Sequence, residues 1–168
     1  MEIRCRLEEG EAMELWDAAL TDGVLGQVFS NGLPTWDNFK SVMEGADVFG
    51  GVYVDGSPAG FFYLSDDYPE KDSVDIHFGL FRDFLPERWK IGRAALDWVF
   101  KTTGRKYIFG VIPIRYEGSC RFALEMGFEE LGLIDELCYI HRLNRLVGGR
   151  LFLLKRKDFY CGKDIQNA

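Results

Sequence analysis

The chain has 168 residues, a formal net charge of −7, and a composition that is 47% hydrophobic and 15% aromatic. These totals predict one domain spanning residues 1–168 with a sizeable core, and they exclude a disordered chain. The acidic balance argues against nucleic-acid binding, which needs Lys and Arg to neutralise phosphates, and is compatible with a cationic acceptor such as an amine.

Met1–Leu7 reads as an opening strand. Ala12, Leu15, Trp16, Ala19 and Leu20 follow at helical spacing, and Thr21-Asp22-Gly23 ends that helix. Val24–Pro34, with Gly26 and Asn31-Gly32, reads as a loop. Thr35 is placed to cap a second short helix through about Glu44, closed by Gly45. The period then changes from helical to alternating. Val48–Val54 and Pro58–Leu64 flank Asp55-Gly56-Ser57, a hairpin signal, and Ser65–Asp72 reads as a polar loop. In Ser73–Phe81, Val74, Ile76, Phe78 and Leu80 alternate with polar or small residues, as on a strand. Pro86 suits a first helical turn, and Ile91, Ala94, Ala95, Trp98, Val99 and Thr102 keep the 3.6-residue period up to Gly104. Lys106–Ile112 reads as a strand buried on both faces, joined to the previous one in parallel or local splay. A short helix carrying Cys120, Phe122, Ala123 and Met126 ends at Gly127. Phe128 to about Arg142 and Gly149 to about Lys157 read as two closing strands. The predicted order is β-α-α-β-β-β-α-β-α-β-β, an α/β fold around one mixed sheet.

Several chemistries find no support. Cys5, Cys120, Cys138 and Cys161 are scattered and read as reduced thiols rather than a zinc or redox motif. His77 and His141 lie far apart, and no carboxylate cluster has ligand spacing, so no metal is expected. No apolar run approaches the ~20 residues that cross a bilayer, so no membrane partner is expected. The start of the chain has no apolar h-region, and a cytoplasmic location is expected. The basic residues between Arg142 and Lys157 read as a solvated face.

One stretch carries chemistry. Arg88-Trp89-Lys90-Ile91-Gly92-Arg93-Ala94 stands at a helix entrance after a strand. A helix N-terminus offers unpaired N–H groups and the positive end of its dipole to an anion. Gly92 and Ala94 let backbone approach closely, and Arg88, Lys90 and Arg93 add charge. Basic residues in a first turn oppose the dipole unless an anion is present, so the segment reads as a phosphate cradle. The alternative is an amphipathic helix with a solvated basic first turn.

The order of elements and this segment resemble the GNAT superfamily of acyl-CoA-dependent N-acyltransferases, whose cofactor loop is Gln/Arg-x-x-Gly-x-Gly/Ala. Gly92-Arg93-Ala94 fits its last three positions, while Trp89 stands where Gln or Arg belongs. Ser119 through Gly127-Phe128 fits the frame of a second family signature. The run from Ser73 with Asp-x-His on its first strand resembles a branch common in phages and prophages. The resemblance is specific from Ser73 to Gly132. It implies a GNAT-like sheet with helices on both faces, and acetyl-CoA or another acyl-CoA as cofactor. It also implies that Leu80 and Phe81 line the pantetheine through main-chain atoms. The family's usual general acid is a Tyr four residues before the Gly of Gly-Phe, and that position is Ala123 here. Tyr116, in a different frame, is the candidate to protonate the leaving thiolate.

Acyl transfer to an amine needs a polarised thioester carbonyl and a path for protons. Backbone N–H groups of a splayed strand supply the first. His77 and Asp75, two residues apart on one strand face, are candidates for the base. Phe29 and Trp36, with Trp16 and Phe49, are candidates for the acceptor pocket, against the ordinary alternative that a helical aromatic stripe is core packing. Two functions follow from this reading. One is an N-acetyltransferase acting on a primary amine of a small molecule or protein. The other is a GNAT-fold module that binds CoA or a partner with little catalysis. The closing strands also offer pairing across a homodimer.

Overall fold

The structure, a computed structural model, describes residues 1–29, 34–66 and 71–161. The elements are β1 (Glu2–Arg4), α1 (Glu9–Asp22), α2 (Leu25–Val28), α3 (Trp36–Gly45), β2 (Val48–Val54), β3 (Ser57–Ser65) and β4 (Ser73–Leu80). A 3-10 helix (Arg82–Glu87) runs into α4 (Arg88–Thr103), followed by β5 (Tyr107–Pro113), α5 (Glu117–Glu125) and β6 (Glu129–Ile140). A second 3-10 turn (His141–Leu143), β7 (Arg145–Lys155) and α6 (Arg156–Cys161) complete the order. The predicted order of strands and principal helices holds. Two short helices were not anticipated: α2 lies inside the segment read as a loop, and α6 replaces the end of the last strand. The predicted Asn31-Gly32 turn and Pro69 lie outside the described residues.

Local signals act as the sequence implies. Glu8 and Glu11 form a reciprocal capping box at the start of α1, and the Asn38 amide donates to Thr35 Oγ1 at 3.3 Å to start α3. Asp55 and Gly56 have φ of 50° and 84°, the doubly left-handed turn that suits a two-residue hairpin. Gly127, at φ 93°, turns the chain from α5 into β6.

The strands form one seven-stranded sheet in the order β1-β2-β3-β4-β5-β7-β6. On β3, Phe62 and Leu64 pack with Ile91, Ala95, Val99 and Phe100 of α4, and with Phe159 of α6. Phe61 and Tyr63 face the other way, against Leu15 and Trp16 of α1, Leu25 of α2 and Phe39 of α3. Strand alternation thus gives two cores, one on each face, as expected for helices on both sides. Cys120 and Ala123 of α5 pack on Phe152 of β7.

The feature that positions the site is the join between β4 and β5. This is the sheet's parallel pair, and its register covers only Ser73↔Tyr107, Val74↔Ile108 and Asp75↔Phe109. Beyond Asp75 the two strands diverge, while β4 stays paired to β3 up to Leu80 and β5 to β7 up to Pro113. The closed end is pinned. Lys106 and Tyr107 amides both donate to the Asp72 carbonyl, at 2.8 and 3.0 Å. Arg105 forms ion pairs with Asp66 at 2.7 Å and Asp47 at 3.3 Å and also donates to the Lys71 carbonyl. At the open end, Phe78 of β4 stacks on Phe122 of α5, with centroids 5.8 Å apart, so a helix side chain occupies the flank where a strand neighbour would sit.

Candidate active site

The divergence opens a cleft of about 1130 Å³ that passes through the sheet. On one face it is walled by Leu85, Arg88, Gly92 and Leu96, and across from them by Arg121, Phe122, Glu125 and Met126. On the other face Val24, just before α2, Val28 of α2, Tyr63, His77 and Val111 line it. The two faces communicate through the slot between β4 and β5.

The slot exposes main chain. The Phe81 amide donates to the Ala59 carbonyl at 2.9 Å, which sets the phase of the β3–β4 ladder. In an antiparallel ladder alternate residues turn both backbone groups toward the same neighbour. Gly79, His77 and Asp75 therefore bond toward β3. Ile76, Phe78 and Leu80 turn theirs away from β3; the Asp75↔Phe109 pairing takes up the Ile76 amide, so the Ile76 carbonyl and both backbone groups of Phe78 and Leu80 face the slot. Gly110 is buried on β5, yet the nearest atom to where a Cβ on it would stand is the Ile76 carbonyl oxygen, 4.0 Å away. The slot is thus bounded by backbone and kept open by a missing side chain.

The structure redistributes the predicted cradle. Arg88–Ala94 is not a loop but the first two turns of α4, continuous with the 3-10 helix, and the Arg88 amide already donates to the Leu85 carbonyl. Of its seven residues only Arg88 and Gly92 line the cleft. They share one helix stripe with Leu96, at the i, i+4, i+8 spacing. Ile91 is buried in the core, and Trp89 is 45% exposed away from the cleft. Lys90 pairs with Glu87 at 3.4 Å. Arg93 points to α6, with its guanidinium 3.7 Å from the Phe159 ring and a hydrogen bond to the Phe159 carbonyl. Ala94 lies between these faces and does not line the cleft. Gly92 has a packing reason as well. A Cβ there would stand 2.6 Å from both Met126 Sδ and Phe122 Cζ, so the glycine lets α4 approach α5.

Other candidates separate in the same way. His77 lines the cleft, stacked on Tyr63 at a 4.3 Å centroid separation and 9° between planes. Burial pushes the Tyr63 phenol up to about 12, so it stays protonated and offers a donor rather than a base. Asp75 sits at the closed end, opposite Phe109 and Ser65, and does not line the cleft. Leu80 lines it, with its backbone turned to the slot. Phe81 does not fit its expected role. Its amide is bound to Ala59, its carbonyl accepts from Phe84, and its ring is buried in the α1–α3 core. Phe29 and Trp36 are likewise core rather than pocket: Phe29 stacks on Phe61 and Tyr63, and Trp36 on Phe39 and edge-on to Trp16. Tyr116 lines the cleft, and its hydroxyl donates to the Gly26 carbonyl of α2 at 3.4 Å, bridging the open end. Ala123 lines the cleft where a family tyrosine would project. Cys138 also lines it, but burial pushes its thiol up, which disfavours a thiolate nucleophile.

Sequence reading missed Tyr63, Arg121, Glu125 and the α2 wall. Tyr63 becomes visible only once the β3–β4 register pairs it with His77. Arg88 and Glu125, 37 residues apart, form a two-point ion pair at 2.9 and 3.0 Å. Hydrogen bonding from Arg88 holds the Glu125 carboxyl below its ordinary value. The sign follows from that direction: the contact is present above the unfolded-state carboxyl value and is lost as pH falls through the lower folded one. Glu125 sits on the cation that an anionic ligand at this end of α4 would use. Glu125→Gln is therefore expected to tighten acetyl-CoA binding about two- to fivefold, on the scale of an exposed ion pair, as measured by titration calorimetry.

No protein-family model and no curated protein matches this sequence. Solved structures do match in shape. Spermidine N-acetyltransferase from Vibrio cholerae, solved with CoA and spermine, superposes with a TM-score of 0.75 at 15% identity, covering 95% of this chain and 97% of that one. A GNAT-family acetyltransferase from Bacillus anthracis gives 0.74 at 13% identity, covering 92% and 94%. Ribosomal-protein-S5-alanine acetyltransferase from Vibrio fischeri gives 0.68 at 13% identity, covering 94% and 93%. The chain has the fold of the GNAT acetyltransferases over nearly its whole length. Among the described residues no helix is long and apolar enough to cross a membrane, and no group of metal-ligating side chains is present.

Proposed function

We propose that the protein is an acyl-CoA-dependent N-acyltransferase that moves an acetyl group from acetyl-CoA to a primary amine. The observation that carries this reading is the slot, where β4 and β5 part after three registered pairs and leave the backbone of Ile76, Phe78 and Leu80 facing a cleft open to both faces of the sheet. The residues fit a long anionic thioester. Arg88 and Arg121 stand on the α4–α5 side for its phosphates, and the slot offers backbone groups to its pantetheine arm.

The bound thioester supplies an electrophilic carbonyl and a thiolate leaving group. Slot-facing N–H groups of β4 hydrogen-bond the carbonyl oxygen as negative charge develops on it. His77, on the opposite face from Arg88, accepts the proton that the amine nitrogen releases as its bond to the acyl carbon forms. Tyr116 donates a proton to sulfur as the carbon–sulfur bond breaks. The two substrates thus enter from opposite faces and meet in the slot.

The test is release of free CoA thiol from acetyl-CoA in the presence of a panel of primary amines, with the acetylated amine identified by mass. Amine-dependent release supports the reading. Tight binding of acetyl-CoA with no release for any amine would favour the alternative, a CoA-binding module, for which Ala123 in the cleft is the supporting observation.

A further inference from the structure

We propose that the acceptor is a primary amine carried on an aromatic or apolar body, and that a polyamine is rejected. The inference rests on the acyltransferase reading and concerns the acceptor side of the same cleft. Val24, Val28, Tyr63, Val111 and Leu137 make that side apolar, and the coplanar Tyr63–His77 stack gives it a flat aromatic floor beside the slot. Val111 and Leu137 are 43% and 42% exposed, so apolar rim is open to solvent where an acceptor would enter. Both lie on one sheet face. Val111 alternates with the core-facing Ile108, Gly110 and Ile112. Leu137 lies over Gly149, whose β5 partner Pro113 shares the face of Val111.

Charge points the same way. Among the described residues, the cleft is lined by Arg88, Arg115 and Arg121 against Glu117 and Glu125. Both glutamates belong to α5, and Glu125 is already bound to Arg88. Arg88 and Arg121 stand on the α4–α5 side proposed for the phosphates, and among the described residues the acceptor side offers no row of carboxylates. A polyamine carries several ammonium groups and needs carboxylates spaced along its length. Here it meets apolar walls. An amine with a single charge and a ring gains the apolar wall, and reacts as the neutral amine, giving His77 the proton released as its bond to the acyl carbon forms.

The experiment measures kcat/KM with acetyl-CoA for phenethylamine and for spermidine, on the wild type and on Val111→Asp and Leu137→Asp. Both substitutions are at exposed positions and place a carboxylate on the rim. The proposal expects phenethylamine to be preferred at least tenfold, and each variant to lose about tenfold on phenethylamine while holding or gaining on spermidine. Preference for spermidine, or equal use of the two, overturns it while leaving the acyltransferase reading intact. Acetyl transfer to neither amine, with acetyl-CoA bound, also overturns it. Failure to bind acetyl-CoA at all overturns the acyltransferase reading itself. If sedimentation shows a dimer that Val111→Asp converts to monomer with amine preference unchanged, the rim is covered by a second copy and the proposal falls.

Discussion

Gly110→Leu is expected to abolish acetyl-CoA binding while leaving the protein folded. Most substitutions of a buried glycine in a sheet force backbone apart. Here the site of the missing Cβ is empty to 4.0 Å, where the Ile76 carbonyl begins, because β5 has already parted from β4. A leucine side chain at this point enters the slot proposed for the pantetheine arm. Its methyl groups land beside the slot-facing backbone of Ile76 and Phe78, which is where the thioester carbonyl would be held. Titration calorimetry should show at least a hundredfold loss of affinity, a few kcal/mol. Chemical denaturation should show a change of no more than about 1–3 kcal/mol, the range for added bulk in a packed interior. Retained affinity in a folded variant would mean that the ligand does not use the slot.

The second large effect is at His77. Removing a positioned general base ordinarily costs 10²–10⁴ in rate, and His77→Ala is expected to lower kcat by that order. Affinity for acetyl-CoA should be unchanged, because His77 stands on the α1–α3 face and Arg88 on the α4–α5 face. That separation distinguishes a base from a residue that merely shapes the cofactor site. Tyr63 does not substitute for it, since its phenol stays protonated throughout the working range. The activity of His77→Ala should fall at every pH tested. Unchanged kcat in His77→Ala removes the assignment.

The sequence exposed the fold through signals that act locally. Asp55-Gly56 specified a tight hairpin, Thr35 a helix start, and Gly127 the turn out of α5, and each behaves in the structure as its backbone preferences require. The slot was legible in outline as a strand–helix–strand unit with a parallel or splayed join. Its walls were not legible, because they depend on register and helix phase. Arg88 to Ala94 reads as one functional unit along the chain, but a helix turns consecutive side chains through about 100° each. Arg88 and Gly92 face the cleft, Arg93 faces α6, and Ile91 faces the core. The same limit explains Phe29 and Trp36, whose aromatic character fits a pocket and a core equally. Only the packing of α1 and α3 on β3 decides for the core. His77 stood out with Asp75 because the two share one strand face two residues apart and an imidazole suits proton transfer; of the two, His77 lines the cleft. Its partner Tyr63 did not stand out, because one tyrosine on a hairpin strand carries no mark until the strands are paired.

Amide hydrogen exchange with and without acetyl-CoA tests the slot most directly, because exchange is read residue by residue. Bound ligand is expected to slow exchange at Phe78 and Leu80, whose N–H groups face the slot, with smaller protection on β5 from Gly110 to Ile112 and little change on β2. Protection confined to another part of the surface, or none at these two amides under saturating acetyl-CoA, would contradict a cofactor site between β4 and β5.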